Sequence, residues 1–208
     1  MKQNLLFTAI VISLTMLMPG CAAKQHLVIN HGSVQPGTEV SRAGTPLPLV
    51  GTPIKVGEHL PSVDLVDANT LADVDISTWR GKILLLSIVP SIDTKVCEAQ
   101  THYLGEQGNR LPTDIERITI SRDTPFAQRR FAKEAKLCNI RFLSDYKQGD
   151  FGRALGLLMK GPMLLARSII IVDKQGVVRY IQVVPDITNL PDMERAFDQA
   201  EKLLKKDN

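Results

Sequence analysis

Hydrophobic positions along the chain form runs and periodic sets that predict alternating strands and helices. Residues 83–89 (ILLLSIV) are an almost unbroken apolar run between Gly81 and Pro90, which is typical of a strand buried on both faces. Another strand is predicted at 115–121, and positions 193–204 have the spacing of an amphipathic helix. The remaining predicted elements are helices at 96–105, 125–137 and 151–158, a strand at 140–143, and a hairpin of strands 168–173 and 177–184.

The segment before these elements also contains extended runs. Within residues 40–56, two such runs lie on either side of Gly44, Thr45 and Pro46, which predicts an N-terminal β-hairpin. Strand–helix–strand units followed by a hairpin and a final helix indicate a mixed α/β sandwich. A thioredoxin-like fold has this order, although hydrophobic periodicity alone does not distinguish it from other α/β layouts.

The N-terminus differs from the rest of the chain because it is basic at the start and then almost continuously apolar. Lys2 precedes an apolar stretch at 5–18. This stretch is shorter than the about 20 residues that a spanning helix needs, and it suits the core of a secretory signal. Residues 17–21 (LMPGC) resemble a bacterial lipobox, in which the cysteine is acylated and becomes the mature N-terminus. Ordinary cleavage nearby and an uncleaved membrane anchor are the alternatives to lipidation of Cys21.

The chain is therefore expected to have three parts. These are a lipoprotein signal peptide at 1–20, a lipidated tether at 21–37 and a folded domain at 38–208. Residues 22–36 are polar and aperiodic, as is typical of a tether. Because Ala22 rather than an aspartate follows the cysteine, the lipobox resemblance implies a lipid anchor in the bacterial outer membrane, facing the periplasm.

Composition and charge argue against several classes of function. The formal net charge of +3 is small and its basic residues are dispersed, which does not suggest a nucleic-acid partner. The three cysteines show neither C-x-x-C nor His-rich spacing, which argues against a disulfide scaffold and a zinc site. We therefore expect no cofactor, no metal and no nucleic acid.

Cys97 is the residue whose predicted position most favours chemistry. It follows the predicted strand 83–89 by a few residues, and Asp93 or Thr94 is a suitable N-cap, so Cys97 falls in the first turn of the next helix. Unpaired amides and the dipole at a helix start stabilise a thiolate, whereas a free cysteine is mostly protonated at neutral pH. The position predicts a nucleophile, and a buried structural thiol is an equally consistent interpretation.

Three strings in the chain resemble those of the thiol peroxidase subfamily of the peroxiredoxins. Residues 90–97 (PSIDTKVC) contain the peroxiredoxin active-site pattern P-x-x-x-T/S-x-x-C, and 121–131 (SRDTPFAQRRF) is similar to the subfamily's S-x-D-x-P-F-A-Q-x-R-F segment. The third match is Gly-Pro at 161–162 with Leu-Ala-Arg at 165–167. The N-terminal hairpin also fits. The resemblance covers the chain from about residue 38 to its end, and it implies a thioredoxin-like, three-layer α/β sandwich.

The resemblance implies catalytic roles for four residues. Cys97 would attack the terminal peroxide oxygen and become a sulfenic acid. Thr94 would orient the thiolate and the peroxide through its hydroxyl group, and Pro90 would shield the sulfur. Arg167 would keep the thiolate charged and stabilise the charge that develops on the departing oxygen.

The resolving thiol is where the chain departs from the subfamily pattern. In two-cysteine thiol peroxidases a cysteine directly follows the Arg-Phe of the second string, but here Arg130 and Phe131 are followed by Ala132. The remaining thiol is Cys138, near the predicted end of the same helix. Cys138 would resolve Cys97 if that helix end unwinds, or it would pack as a small apolar side chain. A one-cysteine cycle with an external thiol therefore stays open.

The function implied by the resemblance is a thiol-dependent peroxidase that reduces hydrogen peroxide and organic hydroperoxides outside the cytoplasm. The expected partners are the hydroperoxide, a periplasmic thioredoxin-like or small-thiol reductant, a second copy in a homodimer, and the membrane through the lipid anchor. Alternatives on the same fold are a peroxide-sensing or thiol-exchange protein and a non-catalytic lipoprotein. The missing C-x-x-C argues against thiol exchange.

Overall fold

The computed structural model of the chain describes residues 27–206, so the predicted signal peptide and Cys21 lie outside the described residues. The strands are β1 (Ile29–Asn30), β2 (Glu39–Arg42), β3 (Thr45–Val50), β4 (Leu65–Asp67), β5 (Asp73–Val74), β6 (Ile83–Ile88), β7 (Ile115–Ser121), β8 (Arg141–Ser144), β9 (Leu158–Met159), β10 (Ser168–Val172), β11 (Val178–Val183) and β12 (Leu190–Pro191). The α-helices are α1 (Lys95–Glu106), α2 (Pro125–Glu134), α3 (Asp150–Leu155) and α4 (Met193–Lys206).

A seven-stranded mixed sheet is the centre of the fold, in the order β11-β10-β6-β7-β8-β4-β5. Strands β6, β7 and β8 are parallel, whereas β10 is antiparallel to both β6 and β11. The predicted N-terminal hairpin is β2 paired with β3, which is extended to a smaller sheet by β9. Helices and this smaller sheet cover the central sheet on its two faces, so the expected α/β sandwich is confirmed.

Strand β6 is apolar at nearly every position because it contributes to two separate cores. Leu84, Leu86 and Ile88 pack in one core with residues of the small sheet and α3. Ile83 and Leu85 point to the opposite face and pack with residues of α1 and α4. Successive side chains of a strand point to opposite faces, so a strand covered on both sides must be apolar throughout. Each such side chain contributes about 1.5–3 kcal/mol on burial.

Two helices end earlier than their hydrophobic spacing predicts. Helix α3 ends at Leu155, because Gly156 has φ +66°, the left-handed conformation that closes many helices. Residues 158–159 then form β9 and pair with β3, so the predicted helix 151–158 is corrected to a helix followed by a strand. Helix α2 ends at Glu134 instead of residue 137, and Lys136 has φ +56°. Buried apolar residues continue along the chain after the last residues of α2 and α3. The apolar pattern therefore did not show where these two helices end.

Part of the segment expected to be a tether packs on the domain. Strand β1 pairs in parallel with β12, and the backbone amide of Val34 donates to the carbonyl of Val183 at 3.0 Å. The side chain of Gln182 donates to the carbonyls of Asn30 and Gly32 at 2.7 and 3.0 Å. The packed part therefore begins ahead of the expected boundary at residue 38. Within residues 27–206, no helix has the length and apolar character needed to cross a bilayer.

Candidate active site

Cys97 lies in the first turn of α1, at the carboxyl edge of the parallel strands. Strand β6 ends at Ile88, and Thr94 is the N-cap of α1 with an extended backbone (φ −133°, ψ 143°). The chain therefore turns from strand to helix within a few residues. The positive end of the helix dipole and the free amides of its first turn surround Cys97, and both favour a thiolate. This agrees with the placement predicted from the sequence.

Arg167 contacts the sulfur directly. Its Nη2 donates to Cys97 Sγ at 3.2 Å, its Nη1 to Gln100 Oε1 at 2.7 Å, and its Nε to the carbonyl of Ile187 at 2.9 Å. The side chain is only 2% exposed, and its guanidinium group is held by three acceptors, two on α1 and one between β11 and β12. A buried, fixed cation next to a thiol stabilises the thiolate and any negative charge that develops beside it.

Gln100 and Ser87 extend this network and were not identified from the sequence. Gln100 Nε2 donates to Ser87 Oγ at 2.8 Å while its Oε1 accepts from Arg167, so both ends of the amide are used. Both residues are fully buried. Gln100 lies three residues after Cys97, which places it on the same face of α1 one turn further on. A polar residue one helical turn after Cys97, on the buried face of α1, is the feature of the sequence that could have identified Gln100.

The loop between β6 and α1 is held by Asp123, which follows β7 at the same edge of the sheet. Asp123 Oδ1 accepts from Ser91 Oγ at 2.7 Å, and its Oδ2 accepts from the amide of Ile92 at 2.8 Å. The amide of Asp93 donates to Ser91 Oγ at 3.3 Å. The aspartate of the second string therefore fixes the loop that carries the first string, a role that the sequence did not reveal.

Of the two other expected site residues, Pro90 is buried and Thr94 is exposed. Pro90 lies two residues after the end of β6, while Cys97 is 0% exposed and forms an apolar cluster with Val89 and Ile92, against which Phe131 packs. Thr94 Oγ1 donates to the carbonyl of Ser91 at 3.3 Å. Within residues 27–206, Thr94 Oγ1 forms no hydrogen bond with Cys97. Thr94 is thus exposed at the N-cap of α1, and its hydroxyl group bonds to the loop backbone.

Cys138 is exposed and lies at the other end of α1. The side chain of its neighbour Asn139 donates to the carbonyl of Gly105 at 2.6 Å, whereas Cys97 is in the first turn. Eight residues separate Cys97 from Gly105, which at a rise of about 1.5 Å per residue is about 12 Å. A disulfide needs Cα atoms within about 7 Å. Both thiols are free, and their separation does not permit a bond without rearrangement.

Within residues 27–206, no three His, Cys, Asp or Glu side chains are grouped as metal ligands. The chemical capacity of the site is that of a thiol beside a fixed guanidinium group. Such a pair suits attack of sulfur on an electrophile whose leaving atom becomes negatively charged.

Comparison with known proteins defines the class to which this fold and site belong. Residues 55–198 match the family model described as Redoxin, and the chain belongs to that family. The structure is similar to a peroxiredoxin-like protein from Aquifex aeolicus, with a TM-score of 0.76 and 30% identity over 84% of this chain and 99% of that one. The thioredoxin-like peroxiredoxin fold predicted from the sequence is thereby confirmed.

Relatives within the family narrow the class to the thiol peroxidases. The chain is 37% identical to the thiol peroxidase of Bacillus subtilis over 80% of its own length and 99% of that protein. It is 40% identical to the thiol peroxidase of Staphylococcus saprophyticus over 74% of its length and 92% of the relative. The chain is a thiol-dependent peroxidase of the peroxiredoxin type, as its motifs implied.

Proposed function

We propose that Cys97 is the peroxidatic residue of this peroxidase and that it reduces hydrogen peroxide and organic hydroperoxides. The observation that carries the proposal is the 3.2 Å contact between Arg167 Nη2 and Cys97 Sγ at the start of α1. Helix dipole and guanidinium group both favour the thiolate, which is the nucleophilic form of cysteine. Cys138 is exposed and lies at the far end of α1 from this pair.

In the proposed reaction the thiolate attacks the terminal oxygen of the peroxide. A sulfur–oxygen bond forms, the oxygen–oxygen bond breaks, and the alcohol or water leaves after taking up a proton. Arg167 stabilises the charge on the departing oxygen through the same guanidinium group that contacts the sulfur. Thr94, the exposed N-cap of α1, orients the peroxide once its hydroxyl turns from the carbonyl of Ser91, and Pro90 shields the sulfur.

The sulfenic acid is proposed to be reduced by an external thiol, in a one-cysteine cycle. The position that carries the resolving cysteine in two-cysteine thiol peroxidases is Ala132. The distance of about 12 Å along α1 argues against direct resolution by Cys138. A thioredoxin-like protein or a small thiol is the proposed donor.

The proposed location is the periplasmic face of the bacterial outer membrane, reached through a lipid on Cys21. This rests on the sequence of the first twenty-one residues. Mass spectrometry of the mature N-terminus from membrane fractions tests it, and an unmodified N-terminus at another residue would refute it. The proposed assembly is a homodimer, which sedimentation of the detergent-solubilised protein tests; a monomer at micromolar concentration would contradict it.

The catalytic proposal is tested by treating the reduced full chain with one equivalent of hydrogen peroxide and measuring its intact mass and peptide map. A gain of one oxygen on Cys97 with Cys138 still free supports the one-cysteine cycle. A Cys97–Cys138 disulfide would instead show that α1 and the end of α2 rearrange. The Cys97→Ser variant should consume no peroxide, and the matched Cys138→Ser variant should. Peroxide consumption by Cys97→Ser at the parental rate would refute the proposal.

A further inference from the structure

A cavity of about 160 Å³ lies between helix α2 and the loop that precedes Cys97. Ile92 and Phe131 line this cavity; Ile92 belongs to the same buried apolar cluster as Cys97, and Phe131 packs against that cluster. The cavity is therefore adjacent to the apolar cluster that contains the buried sulfur. The volume corresponds to about five water molecules at about 30 Å³ each, so the cavity accommodates a small organic molecule and not a peptide.

Three charged side chains line the cavity without partners in the described protein. Asp93 comes from the loop, and Arg130 and Glu134 come from α2. Within residues 27–206, none of these three side chains takes part in a hydrogen bond or ion pair of the protein. Asp123 also lines the cavity, but its carboxylate oxygens are used by Ser91 and Ile92. The unpaired groups are two anions and one cation, which suits a ligand with an ammonium group and, optionally, a carboxylate.

We propose that this cavity binds the reducing substrate of the cycle, and that this substrate is a small aminothiol. Asp93 and Glu134 would accept hydrogen bonds from its ammonium group, and Arg130 would bind its carboxylate where one is present. The proposal rests on the proposed one-cysteine cycle, because only a sulfenic acid without an internal resolving thiol needs a donor at this place.

The chemistry of the reductive step balances with two thiols and no other reagent. The first thiol attacks the sulfur of the Cys97 sulfenic acid after Ile92 or Phe131 moves aside. A sulfur–sulfur bond forms, the sulfur–oxygen bond breaks, and the hydroxyl group leaves with the thiol proton as water. A second thiol then attacks the outer sulfur of the mixed disulfide, which releases a low-molecular-weight disulfide and the reduced Cys97.

The test measures the rate of reduction of the oxidised full chain against the concentration of three thiols. The thiols are cysteine (both charges), cysteamine (ammonium only) and 3-mercaptopropionate (carboxylate only). Three proteins are compared with the parent: Arg130→Gln, the double variant Asp93→Asn/Glu134→Gln, and Arg129→Gln as the matched control. Arg129 is an exposed arginine on the same helix that lies over the Phe126 ring instead of lining the cavity. Each rate is expressed relative to the parent with the same thiol, so intrinsic thiol reactivity cancels.

The expected result is a saturable rate with cysteine and cysteamine and a charge-specific pattern in the variants. Arg130→Gln should raise the half-saturating concentration of cysteine about three- to tenfold and leave that of cysteamine in place, since exposed charge pairs contribute modestly. The double variant should raise the values for cysteine and cysteamine and improve the rate with 3-mercaptopropionate. Arg129→Gln should match the parent with all three thiols.

Two outcomes overturn the proposal while leaving the peroxidase function intact. One is a rate that stays linear in every thiol and changes equally in Arg130→Gln and Arg129→Gln. The other is reduction by a thioredoxin-like protein with no saturable reduction by any of the three thiols. Failure of Cys97 to take up oxygen from peroxide, measured separately before thiol is added, would instead refute the proposed function itself.

Discussion

Replacement of Arg167 tests whether one buried guanidinium group activates Cys97. Arg167→Gln removes the positive charge and the Nη2 contact at 3.2 Å, and it leaves Gln100 Oε1 and the carbonyl of Ile187 without their donor. Loss of one preorganised donor to a developing anion lowers a rate about 10²- to 10³-fold. We expect this loss in the second-order rate of oxidation by hydrogen peroxide. Arg167→Lys keeps the positive charge but cannot form all three hydrogen bonds of the guanidinium group. We expect it to lower the rate of oxidation about tenfold.

The assay separates catalysis from stability, because a buried arginine also contributes to the fold. Each buried acceptor left unpaired costs about 1–3 kcal/mol, so urea unfolding is measured for every variant and rates are compared under conditions where all are folded. Oxidation is followed by acid quench and intact mass after rapid mixing. The control is Arg179→Gln, which removes the ion pair of Arg179 with Asp173. Asp173 lies just beyond the far end of β10, about 20 Å from Arg167 at about 3.3 Å per residue.

The expected pattern is a large loss of rate in Arg167→Gln and a parental rate in Arg179→Gln, even where their stabilities are similar. A folded Arg167→Gln protein that reacts with peroxide within about threefold of the parent would show that the guanidinium group is structural. The predicted loss of rate is assigned to the contact between Arg167 and Cys97 alone. If that loss is not seen, the start of α1 is the main source of thiolate stabilisation.

Three further changes test other parts of the structure. Gln100→Leu should slow peroxide oxidation about tenfold in quench experiments, because it removes the acceptor that positions Arg167 Nη1; an unchanged rate would contradict this. Cys138→Ser should leave the peroxide rate and the stoichiometry of one oxygen per chain as they are, measured by intact mass, whereas loss of turnover would reinstate an internal resolving thiol. Burial raises the pKa of the Asp67 carboxyl, but hydrogen bonds from backbone amides and Arg141 outweigh burial and lower it below 3.8. The stability from this carboxylate is therefore fully present above the unfolded pKa and is lost as the pH falls through the lower folded pKa, so Asp67→Asn should lower the free energy of unfolding in urea at pH 7 and have a progressively smaller effect as the pH falls below 3.8. A loss that stays the same as the pH is lowered would show that the carboxylate charge is not the cause.

The parts of the fold that could be predicted are those whose pattern has a local cause. Residues 83–89 and 115–121 read as strands because β6 and most of β7 are buried on both faces. The start of α2 was readable from Thr124, whose side chain caps the amide of Ala127, and from Pro125 in the first turn. The ends of α2 and α3 could not be read in the same way, since burial continues past them into neighbouring structure.

Sequence motifs alone also indicated the principal groups of the site, but not how they are held. Cys97 and Arg167 were named from the sequence, while Gln100, Ser87 and Asp123 acquired roles only in the structure. These three residues act through hydrogen bonds to segments that are distant along the chain. No local pattern specifies such partners, because the sequence around a buried polar residue does not show which distant group forms a hydrogen bond with it.

The sequence by itself determined the order of strands and helices, the position of Cys97 in the first turn of a helix, and the absence of a cysteine at position 132. Only the tertiary structure decided that Arg167, seventy residues away, reaches Cys97 Sγ, and that Cys138 lies at the opposite end of α1. It also decided that residues 29–34 pack on the domain. The physical reason is that helix starts and buried strands depend on neighbouring residues. Contacts between β10, α1 and the N-terminal segment instead join residues that are far apart along the chain. They therefore depend on how all the strands are arranged in the sheet.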